Sequence, residues 1–334
     1  MKPPPTQTMR RAEREAIHGW LVLDKPLGLT STAAVGRVRR LTGAAKVGHG
    51  GTLDPLATGL LPIALGEATK TVGFAMTGAK TYRMRIAWGE ERSTDDREGT
   101  VTRTSQVRPD AAAIAAALPA FIGQIMQVPP AFSAIKVAGQ RSYDLARAHA
   151  AGEGEAPAPL AARLARIDAI RPLDPGASPD EAEFEVDCGK GVYMRSLARD
   201  LARALGTCGH VAALRRTRVG PFDLTQAISV GERKWLDGEI PLDKGGDLCD
   251  KAAIIAHLLP VATALDDIPA LALTEAEAER LRHGGAVSPG SAEMIRRLAT
   301  LGEGTVVAAF QGERLVALAE VGDGAIRPVR VMNL

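Results

Sequence analysis

The 334-residue chain is 46% apolar and 24% charged, a globular balance that excludes a disordered or fibrous protein. Its formal net charge of +2 announces no polyanionic partner, so any basic surface has to be local. The three cysteines, Cys188, Cys208 and Cys249, lie too far apart for a zinc or disulfide framework and fit a reducing cytoplasm, and no apolar run reaches the about 18 residues of a membrane span.

Residues 1–17 mix prolines and charges without an apolar signal segment and read as a disordered tail. The run Trp20-Leu21-Val22-Leu23 predicts a short buried strand that ends at Lys25-Pro26-Leu27-Gly28. Thr30, Ser31 or Thr32 caps a helix whose apolar Val35, Val38 and Leu41 lie three apart, with Gly43 as its stop. A glycine-rich stretch, 47–66, follows. Residues 81–88 alternate apolar Tyr82, Met84 and Ile86 with Arg83 and Arg85, a strand pattern, and 111–118 read as a helix. Residues 148–162 have no periodicity and read as a mobile loop. Phe184, Val186 and Cys188 alternate on a further strand, which turns at 189–191 into a helix over about 195–205. On that helix Arg195, Arg199 and Arg203 form one stripe and Leu197, Leu201 and Leu205 the other. The pattern breaks at 259–269, which marks a boundary. Beyond it Thr274 and Glu277 form a capping box, the helix stops at Gly284, and 306–310 and 315–321 form a hairpin.

The most distinctive segment is Gly48-His49-Gly50-Gly51-Thr52-Leu53-Asp54-Pro55-Leu56-Ala57-Thr58-Gly59-Leu60-Leu61-Pro62. It lacks the GK[ST] ending of a phosphate-binding loop, and Leu53 stands where a dinucleotide fingerprint requires its third glycine. The zinc-deaminase signature and the GxSxG nucleophile elbow are absent too. What remains is one carboxylate, Asp54, biased toward extended geometry by Pro55, in a loop whose glycines let backbone approach a ligand. By local chemistry alone an Asp-Pro in such a loop is a turn former.

The segment closely resembles the catalytic motif of the TruB-type tRNA pseudouridine-55 synthases. Further blocks of that family recur in order: Asp24-Lys25-Pro26 with Gly28 and Ser31, then Lys80-Thr81-Tyr82-Arg83, then Pro129-Pro130-Ala131-Phe132-Ser133-Ala134-Ile135-Lys136, Lys190-Gly191-Val192-Tyr193-Met194-Arg195-Ser196-Leu197, and residues 210–216. The resemblance implies an α+β pseudouridine synthase fold, a mixed, largely antiparallel sheet around a central cleft. It implies a catalytic domain over 18–262, with a flexible insertion at about 148–162, and a small PUA-like RNA-binding β domain over 268–334.

It also implies isomerisation of the uridine at position 55 in the T-loop of tRNA, with Asp54 as nucleophile. Breaking the N-glycosidic bond and rejoining the base through carbon needs no redox change or energy input, so neither cofactor nor metal is expected. A carboxylate has three routes open to it: attack on the sugar, removal of a sugar proton, or addition to the base. Tyr82 resembles the tyrosine that stacks on the target base, and Arg195 the arginine that pairs with the aspartate and orients it. His49, Tyr193, Leu214 and Lys25 resemble substrate contacts. Without the resemblance Tyr82 and Leu214 read as core residues, His49 as a solvated loop histidine and Lys25 as a surface lysine. Arg199 and Arg203 read as a solvated or phosphate-facing surface. The basic runs Arg37, Arg39, Arg40 with Lys46, and Arg215, Arg216 with Arg218, bracket the motif as the two sides of a tRNA groove.

The implied partner is tRNA, held at its T-loop and acceptor stem by a monomer that uses no guide RNA and no membrane. The rival readings are a guide-RNA-dependent synthase and a non-catalytic tRNA-binding or tRNA-folding protein. An RNA methyltransferase would need a cofactor-binding glycine motif that the chain lacks.

Overall fold

The computed structural model describes residues 15–133, 136–137, 140–141, 160–174, 178–229, 251–288 and 290–334. In chain order it contains β1 (Gly19–Lys25), α1 (Ser31–Thr42), β2 (Val47–His49), β3 (Ala57–Leu65), α2 (Val72–Thr77), β4 (Lys80–Trp88), β5 (Glu90–Arg92), β6 (Val101–Thr104) and α3 (Ala111–Ala117). There follow β7 (Gly123–Gln127), the short pair β8 (Lys136–Val137) and β9 (Gln140–Arg141), β10 (Arg163–Leu173), β11 (Glu181–Cys188), α4 (Met194–Ala204), β12 (Gly209–Val219), β13 (Phe222–Asp223) and β14 (Ile228–Ser229). The chain closes with α5 (Lys251–Ala256), β15 (Ala270–Ala272), α6 (Glu275–Arg282), α7 (Ala292–Leu301), β16 (Val306–Gln311), β17 (Arg314–Gly322) and β18 (Ala325–Val331).

One large sheet runs in the order β14-β1-β3-β12-β4-β11-β10-β7. Its pairs are antiparallel except β1 with β14 and β3 with β12. The expected mixed, largely antiparallel α+β architecture is what the chain adopts. Strand β3 is the hub: β1 lies along one edge, while β12 takes the start of the other edge and β2 its end. Both faces of β1 are covered, which explains its unbroken apolar run. Leu21 and Leu23 join the core that includes Val38 of α1 and Leu197 and Leu201 of α4. Trp20 and Val22 join a second core on the opposite face, where the Trp20 and Phe222 rings lie 5.1 Å apart.

The four strands β15-β16-β17-β18 form a separate sheet with its own core against Ala278 and Leu281 of α6. Leu315, Leu318 and Met332 of this part belong to the same cluster as Trp20, Leu60, Val261 and Leu265. Leu259 pairs with Trp20 through two backbone hydrogen bonds. The stretch 259–269, where the pattern breaks, therefore carries contacts shared by both sheets.

Caps formed where the side chains dictate. Thr30 accepts from the Ala33 amide, Gly43 closes α1 at φ 69°, and the Thr274–Glu277 capping box starts α6. Residues 1–14 of the expected tail lie outside the described residues. Residues 15–17, assigned to the same tail, are tied down: Glu15 bonds Gly43 and Ala45 through its backbone, and Ile17 packs on the core. Tyr143, Cys249 and positions 148–159 of the expected loop lie outside the described residues, whereas 160–162 lead directly into β10.

Candidate active site

Asp54 stands on the turn that joins β2 to β3, and the structure pins nearly every residue of that turn. The Ser31 hydroxyl donates to the Leu53 carbonyl and accepts from the Leu53 amide, both at 2.9 Å. The Pro55 carbonyl accepts from the Gly28 amide at 2.8 Å and from Lys25 Nζ at 3.4 Å. The Asp54 carbonyl accepts from the Ala57 amide at 3.1 Å. From the far side Arg216, 1% exposed, donates its Nε to the Leu60 carbonyl at 2.8 Å, Nη1 to Thr52 at 3.1 Å and Nη2 to Gly51 at 3.1 Å. Gly59 makes that closeness possible. It adopts φ 99°, and a Cβ there would lie 2.2 Å from the Arg216 carbonyl oxygen.

The carboxylate itself meets Arg195, whose Nη2 lies 3.0 Å from Asp54 Oδ2. Arg195 is 7% exposed at the start of α4 and is further fixed by the Thr94 carbonyl at 3.1 Å, the Phe132 carbonyl at 2.9 Å and Asp96 Oδ2 at 3.5 Å. The Asp54 side chain is 36% exposed, so the guanidinium holds it from inside while one side stays open. Arg195 can form this pair because Tyr193 starts the helix in an extended conformation. The Gln127 side-chain amide clamps Tyr193 by accepting from its N–H at 3.1 Å and donating to its carbonyl at 3.3 Å.

Tyr82 lies buried on β4, directly opposite Arg216 of β12. Burial pushes its phenol above the usual range, so it is a neutral ring with a hydroxyl at physiological pH. Lys25, fully buried, donates to the carbonyls of Pro26 and Leu29 as well as Pro55, and burial pulls it down to about 8 against the opposing pull of Asp54. The charge of Asp54 is felt at Lys25, Tyr82 and Tyr193. Leu214, buried on β12, pairs in register with Ala57 and Met84. His49 ends β2 with its buried Nδ1 unpartnered, and burial followed by the Arg216 charge lowers its pKa, leaving the ring neutral. Among the described residues no group of three His, Cys, Asp or Glu side chains is arranged to hold a metal.

Comparison with known proteins gives the family. A model of the TruB family pseudouridylate synthase N-terminal domain matches residues 39–194, and one of the tRNA pseudouridylate synthase B C-terminal domain matches 195–266. Proteins named tRNA pseudouridine synthase B from Rhodospirillum rubrum and Gluconacetobacter diazotrophicus are each 53% identical to the chain, over 325 and 328 residues. Both alignments span 97% of the chain and 99% and 100% of the relatives. The chain belongs to the TruB family of pseudouridylate synthases. It is therefore an enzyme, an isomerase of the pseudouridine class. A crystal structure of a Cbf5–Nop10–Gar1 complex shares the fold at a TM-score of 0.64 and 22% identity, covering 99% of this chain and 90% of that one.

Two expectations for this TruB family member fail on burial. Arg199, assigned to a solvated or phosphate-facing stripe, is buried and paired with Asp95 and Asp200, each at 2.9 Å; only Arg203 is exposed, beside Glu91. Of the run assigned to the second wall of a tRNA groove, Arg216 is buried and Arg215 half-buried, while Arg218 stays exposed. Arg215 forms a two-pronged pair with Asp24 at 3.0 and 2.9 Å, and Arg216 braces the Asp54 turn. A charge run in sequence does not reveal which of its members a strand turns inward. The first run keeps its exposure at Arg39, Arg40 and Lys46. Ser31, Asp96, Gln127 and Arg216 were not singled out for the site. For Arg216 one signal was present, since it falls on the apolar-facing phase of a strand.

Proposed function

We propose that the enzyme converts the uridine at position 55 of the tRNA T-loop to pseudouridine, alone, without cofactor, metal or guide RNA, in the cytoplasm, with Asp54 as the reacting carboxylate. The observation that carries this reading is the 3.0 Å pair between Asp54 and Arg195 on a turn held from both sides. A nucleophile fixed in this way loses little freedom when the base arrives. The N1–C1′ bond breaks, the uracil turns, C5 bonds to C1′, and the C5 proton leaves as N1 gains one, so the product is an isomer of the substrate. Attack on C1′, removal of a sugar proton and addition to the base all remain open to Asp54.

Tyr82 stacks on the flipped base, with Tyr193, Leu214 and Lys25 lining the pocket. His49, neutral and short of a partner, enters the space the base vacates and contacts RNA. Arg39, Arg40 and Lys46 meet phosphates. Residues 18–262 act as the catalytic domain, and 268–334 as a PUA-like domain on the acceptor stem.

Chemical mapping of pseudouridine in unmodified tRNA transcripts, treated with the purified protein, tests the reading. Wild type converts one T-loop uridine and Asp54→Asn converts none. Undiminished conversion by Asp54→Asn removes the nucleophile assignment, and tRNA binding without wild-type conversion makes the protein a binder only.

A further inference from the structure

Arg195 and Arg199 lie four residues apart on α4 and therefore face the same side, one turn above the other. Both grip the same two segments. Arg195 bonds the Thr94 carbonyl and approaches Asp96 in the loop after β5, and it bonds the Phe132 carbonyl after β7. Arg199 repeats the pattern one turn along, with Asp95 at 2.9 Å in the same loop and the Val128 carbonyl at 2.9 Å after β7. The Ser196 hydroxyl, between them, donates to the same Val128 carbonyl at 2.8 Å. Of the two arginines only Arg195 reaches Asp54.

Consecutive side chains on an extended strand point to opposite faces, so Asp95 and Asp96 require a special backbone to meet one helix face. Asp95 supplies it at φ 58°, a left-handed conformation uncommon outside glycine. Its amide donates to the Arg92 carbonyl at 2.9 Å and its carbonyl accepts from Val211 at 3.1 Å, which holds the turn in place. Such a conformation persists where the surroundings over-determine it, and here the outcome is two carboxylates aimed at two arginines.

We propose that the Asp95–Arg199 pair is a second, non-reacting rung that positions Arg195, and through it Asp54, for the reaction. The proposal rests on the assignment of Asp54 and Arg195 given above. Asp95 and Arg199 are positioning residues: they fix where Asp96 and the 128–132 segment stand, and these two in turn fix the Arg195 guanidinium. The charged groups acting on the Asp95 carboxyl are Arg199 and Arg195 from α4 and Glu91 from β5; Asp96 is its neighbour in the chain, and Asp200 pairs with Arg199. Burial outweighs the arginines and pushes Asp95 up to about 6, so the rung loses its negative charge as the pH falls through that value.

The test compares wild type, Asp54→Asn, Asp95→Asn and Arg199→Lys in single-turnover conversion of an unmodified tRNA transcript between pH 5 and 8, with tRNA affinity and thermal melting measured in parallel. Asp95→Asn keeps the shape of the side chain and removes its charge. The expected result is a rate lower by about 10- to 100-fold at pH 7.5, as displacement of a reacting group entails. Affinity for tRNA stays within about twofold, and the step in rate near pH 6 that wild type shows is lost. Arg199→Lys, which keeps the cation but loses the fork, gives the same split between rate and affinity and covers the case in which Asp95→Asn does not fold. Either variant melting lower yet converting at the wild-type rate, or Asp95→Asn keeping the step near pH 6, overturns the rung. If wild type itself converts nothing, the parent assignment fails and takes the rung with it. Wild-type conversion abolished in Asp54→Asn but intact in Asp95→Asn and Arg199→Lys overturns the rung alone.

Discussion

Replacing Arg216 with methionine removes the brace of the Asp54 turn together with the interaction of its guanidinium with the Tyr82 phenol. The guanidinium donates three hydrogen bonds, to the carbonyls of Leu60, Thr52 and Gly51, and among the described residues no carboxylate pairs with it. Hydrogen bonds from a charged donor contribute about 1.5–3 kcal/mol each, so the gross loss is about 5–9 kcal/mol. Removing a buried cation returns a desolvation penalty of several kcal/mol. The net expectation for Arg216→Met is a destabilisation of about 2–4 kcal/mol, which lowers the melting temperature by roughly 3–6 °C in a chain of this size. Freed carbonyls at Gly51 and Thr52 also let Asp54 drift, and a displacement near 1 Å costs about 100-fold in rate. Differential scanning calorimetry and single-turnover conversion on the same preparation read both effects. A variant that melts with wild type refutes the bracing role. One that melts low but reacts at full rate severs the brace from the chemistry.

Ser31→Ala removes both bonds to Leu53 and leaves a buried amide and carbonyl unsatisfied; the expected cost is about 2–3 kcal/mol, with kcat reduced while tRNA affinity holds, and an equal loss of affinity contradicts it. Lys80 donates to the Met76 and Gly78 carbonyls and is pulled down to about 8 by burial, so above pH 8 the folded chain carries one proton fewer there than the unfolded chain. Stability contributed by Lys80 therefore rises with pH from about 8 toward its ordinary 10.5, at about 1 kcal/mol per pH unit. Cys188, pushed up to about 12, acts in the opposite sense above its ordinary 9.0, so the comparison belongs between pH 8 and 9. Urea unfolding of wild type and Lys80→Met there should show wild type gaining on the variant as pH rises; a constant difference refutes the linkage.

What the sequence made legible was whatever one face of an element reports. The alternation of Tyr82, Met84 and Ile86 marked β4 because that strand buries one side, and the leucine stripe marked α4 although much of its arginine side is buried as well. Strand β3 escaped notice inside the glycine-rich stretch because both its faces are buried. Its residues from Leu60 to Leu65 are then apolar without alternation. Asp54 was found through a long motif, and its surroundings have physical reasons for being less visible. Arg199 and Arg216 look like surface charge until the fold shows which carbonyls and carboxylates they meet. Asp95 and Asp96 were two acids in a polar run, and only the positive φ of Asp95 turns both toward one helix. Nor can periodicity report that Val261 and Leu265, within the interruption at 259–269, fill a core shared with Leu315 and Leu318.

Lys25, Lys80 and Arg216 are held by peptide carbonyls, whose dipoles solvate a cation without cancelling its charge. Arg216 accordingly lowers the proton affinity of both lysines. The interior behind the turn thus stores electrostatic repulsion that no internal counter-ion discharges in full. Because these cations lie out of water, added salt screens that repulsion far less than it would between surface charges.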